Sequence, residues 1–124
     1  MTVVLDAGAL IALERRDTRV LALLDELLRR REQTFVPAGV VSQVWRGSPR
    51  QHPIARLLRG NTVRVDPLSG DLAYRLGELL ARTGTSDPID AHVAWLATRA
   101  SGTVLTSEPD DIRAVAPGVR IVTV

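Results

Sequence analysis

Two aspartates stand where chemistry is easiest to build. Asp6 closes the apolar run Val3, Val4, Leu5, and Asp90 opens the otherwise apolar stretch AHVAWLA, where an idle carboxylate has no packing use. Asp87 lies one turn before Asp90, and Glu108 and Asp111 follow the short apolar run TVLT. Carboxylates brought together repel one another and are tolerated when a cation holds them; an all-oxygen site of this kind suits Mg²⁺ or Mn²⁺. Such an ion lowers the pKa of a bound water and offsets charge on a phosphate under attack, which makes a phosphodiester the natural substrate. Each acid also has a plainer use. Asp6 and Asp87 can each N-cap a helix, Asp90 can favour the first turn of one, and Glu108, Asp110 and Asp111 can enrich a helix start. What favours chemistry is their joint placement.

Other chemistries are closed by composition. The 124 residues contain no cysteine, which excludes disulfides, thiolate zinc sites and cysteine nucleophiles. All 16 basic residues are arginine, so a P-loop ATPase, a Schiff-base enzyme and a receiver domain with its usual lysine are disfavoured. His52 and His92 lie too far apart in sequence for a zinc motif and read as surface or packed histidines. Trp45 and Trp95 have apolar neighbours at helical spacing and read as core or interface anchors rather than base-stacking platforms. No apolar run approaches the roughly 20 residues that cross a bilayer, and the first residues lack a signal peptide's basic region, so a cytoplasmic protein is expected.

The elements that must position these residues alternate in type. VVL reads as a strand and AGALIALE as a helix, with Asp6 at the junction. A second helix runs from Asp17 to about Arg31, followed by the strand TFVP and a helix over GVVSQVW that ends at Gly47. SPRQHP reads as a connection, residues 54 to 59 as a short helix and TVRV as a strand. Asp71 is the expected cap of a helix that ends near residues 82 to 84. Asp87 and Pro88 open another helix, TVLT is a strand, SEPDDIRAV a short helix and VRIVTV a closing strand. Alternation of this kind predicts a single α/β domain over residues 1 to 124. It has a central, mainly parallel sheet of about five strands and helices on both faces.

Open parallel sheets bind ligands at the carboxyl ends of their strands. Asp6 follows the first strand, Ser107 and Glu108 follow TVLT, and Asp90 begins the helix that leads into TVLT. All are expected at one edge. Charge is uneven as well: residues 1 to 65 hold 11 arginines against 6 acids, and residues 66 to 124 hold 5 against 8. Arg46, Arg50, Arg56, Arg59 and Arg64 lie in a stretch without any acid, which suits phosphate or simply a solvated face.

Taken together, VVLDAGALIAL, PIDAHVAWLA and VLTSEPDDI resemble, in order and spacing, the PIN-domain family, and within it the VapC-type toxins of toxin–antitoxin pairs. The resemblance covers almost the whole chain. It places Asp6 on the family's first acid, Asp90 on its third, and Thr106, Glu108 and Asp111 on a Thr-x-Asp-x-x-Asp pattern. Two positions depart from that pattern. Glu108 stands for an aspartate, and in VVSQVWRG Gln43 stands where a glutamate is usual. A glutamine still offers a carbonyl oxygen but removes a negative charge, and Asp87 is a candidate to replace it.

The resemblance implies a PIN-like three-layer fold and Mg²⁺- or Mn²⁺-dependent endonucleolytic cleavage of structured RNA, such as tRNA or ribosomal RNA, that inhibits translation. It implies a homodimer neutralised by a VapB-like antitoxin. Asp6, Asp90 and Glu108 would be catalytic, with Asp87 joining them as metal ligands and Gln43, Thr106, Ser107 and Asp111 in or just behind the metal's coordination sphere. Arg46, Arg50, Arg56 and Arg59 would contact RNA backbone. Gln43 keeps a second reading open, a non-catalytic or weakly catalytic PIN domain that binds RNA or protein. A dinucleotide-binding module is disfavoured, since no Gly-x-Gly-x-x-Gly follows the first strand.

Overall fold

A computed structural model describes all residues, 1 to 124. Five strands are present: β1 (Thr2–Leu5), β2 (Gln33–Pro37), β3 (Val63–Asp66), β4 (Thr103–Thr106) and β5 (Arg120–Thr123). They form one sheet in the order β3-β2-β1-β4-β5, every neighbouring pair parallel. Seven α-helices connect them: α1 (Ala7–Glu14) and α2 (Thr18–Arg29) between β1 and β2, and α3 (Ala38–Val44) and α4 (His52–Leu58) between β2 and β3. α5 (Gly70–Thr83) and α6 (Pro88–Ala100) lead to β4, and α7 (Pro109–Val115) to β5. The expected parallel α/β architecture is the one observed.

Strand order explains where the layers go. From β1 the chain steps outward to β2 and β3, then returns across the sheet to β4 and β5. Parallel crossovers are right-handed, so reversing the direction of travel puts the later helices on the opposite face. The helix packing agrees: α1 packs on α2, α3 and α4, whereas α5, α6 and α7 pack on one another. β1 and β4 are buried along nearly their whole length and carry Val3, Val4, Leu5, Val104 and Leu105 into the core, as near-continuous apolar runs do in two-sided sheets. The reversal lies between these two strands. Open parallel sheets bind ligands at the carboxyl ends of their strands at such a switch point.

Three local elements differ from the sequence expectation. Ser69, not Asp71, caps α5, because its hydroxyl accepts the Leu72 amide at 3.2 Å, and Asp71 lies in the first turn. α3 stops at Val44 rather than Gly47, since Trp45 is extended. SPRQHP is not a bare connection: Pro49–Gln51 form a 3-10 turn and α4 begins at His52. Buried Gln51 holds that segment. Its Oε1 accepts from the Arg46 amide, and its Nε2 donates to Glu14 Oε1 and to the Val44 carbonyl, each at 2.7 Å.

Candidate active site

Asp6 is the residue after β1 and is only 7% exposed. Its backbone amide donates to the Leu105 carbonyl of β4 at 3.0 Å, so the sheet ladder itself fixes its position. Asp6 Oδ1 accepts from the Ala7 amide at 2.7 Å and Oδ2 from the Thr106 hydroxyl at 2.8 Å. That hydroxyl in turn accepts the Glu108 amide at 2.9 Å. Thr106 therefore joins the end of β1 to the loop after β4. Glu108 precedes α7 without capping it, which leaves its exposed carboxylate free, and Asp111 lies in the first turn of α7.

Gly8 makes this junction possible. A Cβ there would stand 2.7 Å from the Ser107 backbone nitrogen and 2.2 Å from its hydroxyl oxygen. Ser107 is thus pressed against the first turn of α1, and Glu108 follows it.

α6 brings the remaining acids from the other face. Crossover helices run against the strands, so the start of α6 reaches the carboxyl edge. Asp87 caps it, with both the Ile89 and Asp90 amides donating to Oδ1, at 2.8 and 3.3 Å. Its Oδ2 carries neither bond, so capping and a further ligand are compatible. Asp90 is half-buried. Desolvation first, then the charges of Asp87, Asp6, Asp111 and Glu108, push its carboxyl from an ordinary 3.8 up to about 7. Asp90 therefore lies within electrostatic reach of Asp6 at the end of β1, of Asp87 on its own helix, and of Glu108 and Asp111 at the β4–α7 junction.

Gln43 approaches by a different route. A Cβ on Gly39 would lie 2.9 Å from Ile89 Cγ1, so the start of α3 packs against the start of α6. Gln43 is one helical turn beyond Gly39 on the same face, exposed, with no side-chain hydrogen bond. The arginines are more dispersed. Arg46 donates to the Ser42 and Trp45 carbonyls, Arg50 faces Glu14 at 3.5 Å, Arg56 lines a groove between α2 and α4, and Arg59 ends α4.

One polar pair was not singled out from the sequence. Buried His92 meets Asp66, the last residue of β3, with Nε2 2.9 Å from Oδ2, tying an edge strand to α6 just past Asp90. The only sequence signal was a histidine at a buried helical position, which does not name its partner. His52 is exposed.

No three acidic or histidine side chains stand in a preformed metal-coordinating arrangement. The donor set nonetheless fits a hard divalent cation: it is all oxygen, Asp87 and Glu108 have uncommitted oxygens, and the repulsion on Asp90 is relieved by positive charge.

The sequence matches the PIN domain family over residues 3–117. The chain is a PIN domain. PIN domains are generally nucleases and typically use divalent metal ions. A search of curated proteins found no match. Among solved structures, this PIN domain is similar to a chain of VapBC2 from Rickettsia felis bound to a DNA fragment from its promoter. The two share 17% identity and a TM-score of 0.70, over 99% of this chain and 98% of that one. It is similar also to a chain of FitAB bound to IR36 DNA, with 18% identity and a TM-score of 0.64 over 98% and 94% of the two chains. A chain of FitAcB from Neisseria gonorrhoeae gives 19%, 0.59, 96% and 95%. At these identities the likeness is one of fold. No helix of the protein is long and apolar enough to cross a membrane.

Proposed function

We propose that residues 1 to 124 act as one endoribonuclease domain, the toxin of a toxin–antitoxin pair, cutting structured RNA such as tRNA or ribosomal RNA in the cytoplasm and so inhibiting translation. The observation that carries this reading is the PIN domain match over residues 3–117, joined to buried Asp6 at the end of β1 and half-buried Asp90 in the first turn of α6, whose carboxyl burial and neighbouring acids push up to about 7. A site that concentrates negative charge is unsuited to phosphate until a cation joins it, and well suited afterwards.

Asp6, Asp87, Asp90 and Glu108 are the residues that would hold Mg²⁺ or Mn²⁺, which would supply an activated water and neutralise charge on the scissile phosphate. The chain's own work is positioning. Thr106 orients Asp6 through one hydroxyl and holds the Glu108 amide with the same atom. Asp87 fixes the first turn of α6, and with it Asp90. Arg46 and Arg59, exposed and free of carboxylate partners, suit RNA backbone. Partners in VapBC- and FitAB-type complexes support a VapB-like antitoxin for this chain, and we infer a homodimer.

Purified protein should cut tRNA or ribosomal RNA with Mg²⁺ or Mn²⁺, stop with a chelator, and lose cleavage on Asp6→Asn or Asp90→Asn. Equal cleavage by those variants would remove the site assignment. Gln43 favours a second reading, a PIN domain that binds RNA or protein without cutting it. Folded wild-type protein that binds RNA but cleaves none of it with either metal would establish that one.

A further inference from the structure

A groove of about 810 Å³ lies at the other end of the sheet. Gly102 and Gly118, just before β4 and β5, line it, which places it at the amino edge of the strands. Half-buried Leu79 and Trp95 contribute apolar surface over buried Val115, and Arg75, Arg82 and Arg120 stand around them. Arg75, Leu79 and Arg82 follow i, i+4, i+7 spacing, so one face of α5 forms a wall two turns, or about 10 Å, long. None of the three arginines has a carboxylate partner; Arg120 donates to the Ser101 carbonyl at 2.6 Å. Glu78 is the one acid in the lining.

We infer that this groove docks an acidic amphipathic helix of a partner protein. Two helical faces enclosing an apolar floor form the kind of groove into which such a helix lays residues at i, i+3, i+4 and i+7. Three unpaired guanidinium groups against one carboxylate select flanking glutamates or aspartates, and guanidinium binds carboxylate in a bidentate fork. A bare nucleic-acid backbone meets the arginines but leaves Leu79 and Trp95 facing charge. The acids of the candidate active site lie at the opposite edge, so occupancy here is separate from the fate of that site.

Trp95 supplies the readout. The chain has two tryptophans, and Trp45→Phe leaves Trp95, over whose ring Arg99 sits at 5.0 Å, as the only one. The probes are two synthetic helices of about four turns, identical in their leucines, one flanked by glutamate and the other by lysine. The glutamate peptide should shift Trp95 emission saturably and bind at least about tenfold more tightly than the lysine peptide. Arg75→Glu with Arg82→Glu, both exposed and so tolerable to the fold, should reverse that order, and added salt should weaken both preferences. The inference is overturned by any of four outcomes. They are no saturable shift with the glutamate peptide, equal affinity for the two peptides, no reversal in the double variant, or a groove already closed by a second copy, seen as a dimer that the reversal dissociates.

Discussion

The two edges of this sheet carry opposite charge for a reason that begins in the backbone. Each crossover helix runs against the strands, so α5, α6 and α7 start at the carboxyl edge and end at the amino edge. Acids occupy their first turns, Asp71 in α5, Asp90 in α6, Asp110 and Asp111 in α7, and arginines their last, Arg82, Arg99 and Arg113. Helix dipoles favour this arrangement, by a few tenths to about 1 kcal/mol per charge. Dipole complement is enough to explain exposed Asp71 and Asp110. It does not explain Asp6 and Asp90, which are withdrawn from water and, in the case of Asp90, held against its preferred charge state. Burial sets Asp6 and Asp90 apart from the exposed acids around them.

The hardest test of that distinction is Asp90→Asn. RNA cleavage should fall at least about 100-fold, beyond the usual cost of disturbing a ligand's supporting contacts. Stability should move the other way. Below about pH 4 Asp90 is protonated in both folded and unfolded chains; between there and about 7 the unfolded chain gives up a proton that the native state keeps. The metal-free protein therefore loses stability as pH rises through that window, and most of the loss is complete above 7. Urea titrations at pH 4 and pH 8 should show this slope in the wild type, a smaller one in the variant, and recovery of stability in the wild type on adding Mg²⁺ or Mn²⁺. An unchanged slope in the variant would mean that Asp90 is as solvated as Asp71. Peptide binding at the amino edge should be untouched.

Thr106→Val comes next. The shape is kept, but Asp6 Oδ2 loses its donor and the Glu108 amide its acceptor. A drop of about 10- to 100-fold in metal affinity or cleavage is expected, by calorimetry or RNA assay. Gly8→Ala acts through packing: the new methyl meets the Ser107 backbone, so α1 and the β4–α7 loop must part, at about 1 to 3 kcal/mol seen in thermal unfolding. If Gly8→Ala unfolds at the wild-type temperature, the loop is looser than its geometry here.

How much of this was readable in the sequence divides along the same line. The strands, the Asp87–Pro88 helix start and the placement of Asp6 and Asp90 were legible because each rests on local signals, an apolar run, a cap, a proline at the first turn. The α5 cap was misread because Ser69 and Asp71 are both good caps. Only the reach of the Ser69 hydroxyl to the Leu72 amide chooses between them. Gln51 was missed because its three partners lie on the segment before it and on α1, which sequence spacing does not bring together. The His92–Asp66 pair and the arginine groove share that character. Both are assembled by elements that meet only in the folded chain.

The smallest expected effect is the most informative about the departure from the family pattern. Gln43 lies on the face of α3 whose preceding turn, at Gly39, touches Ile89, next to Asp90. Gln43→Glu would add one negative charge beside an already crowded cluster. In metal-free protein this raises the Asp90 carboxyl further and lowers stability at pH 8. With Mg²⁺ or Mn²⁺ present the same charge becomes a ligand, so affinity and cleavage should rise by about three- to tenfold, since an added carboxylate strengthens a hard-cation site. The two changes must have opposite sign for Gln43 to border the metal. A variant that loses stability without gaining metal affinity would place Gln43 near the acids but outside the site. One that changes neither would show that α3 contributes only packing.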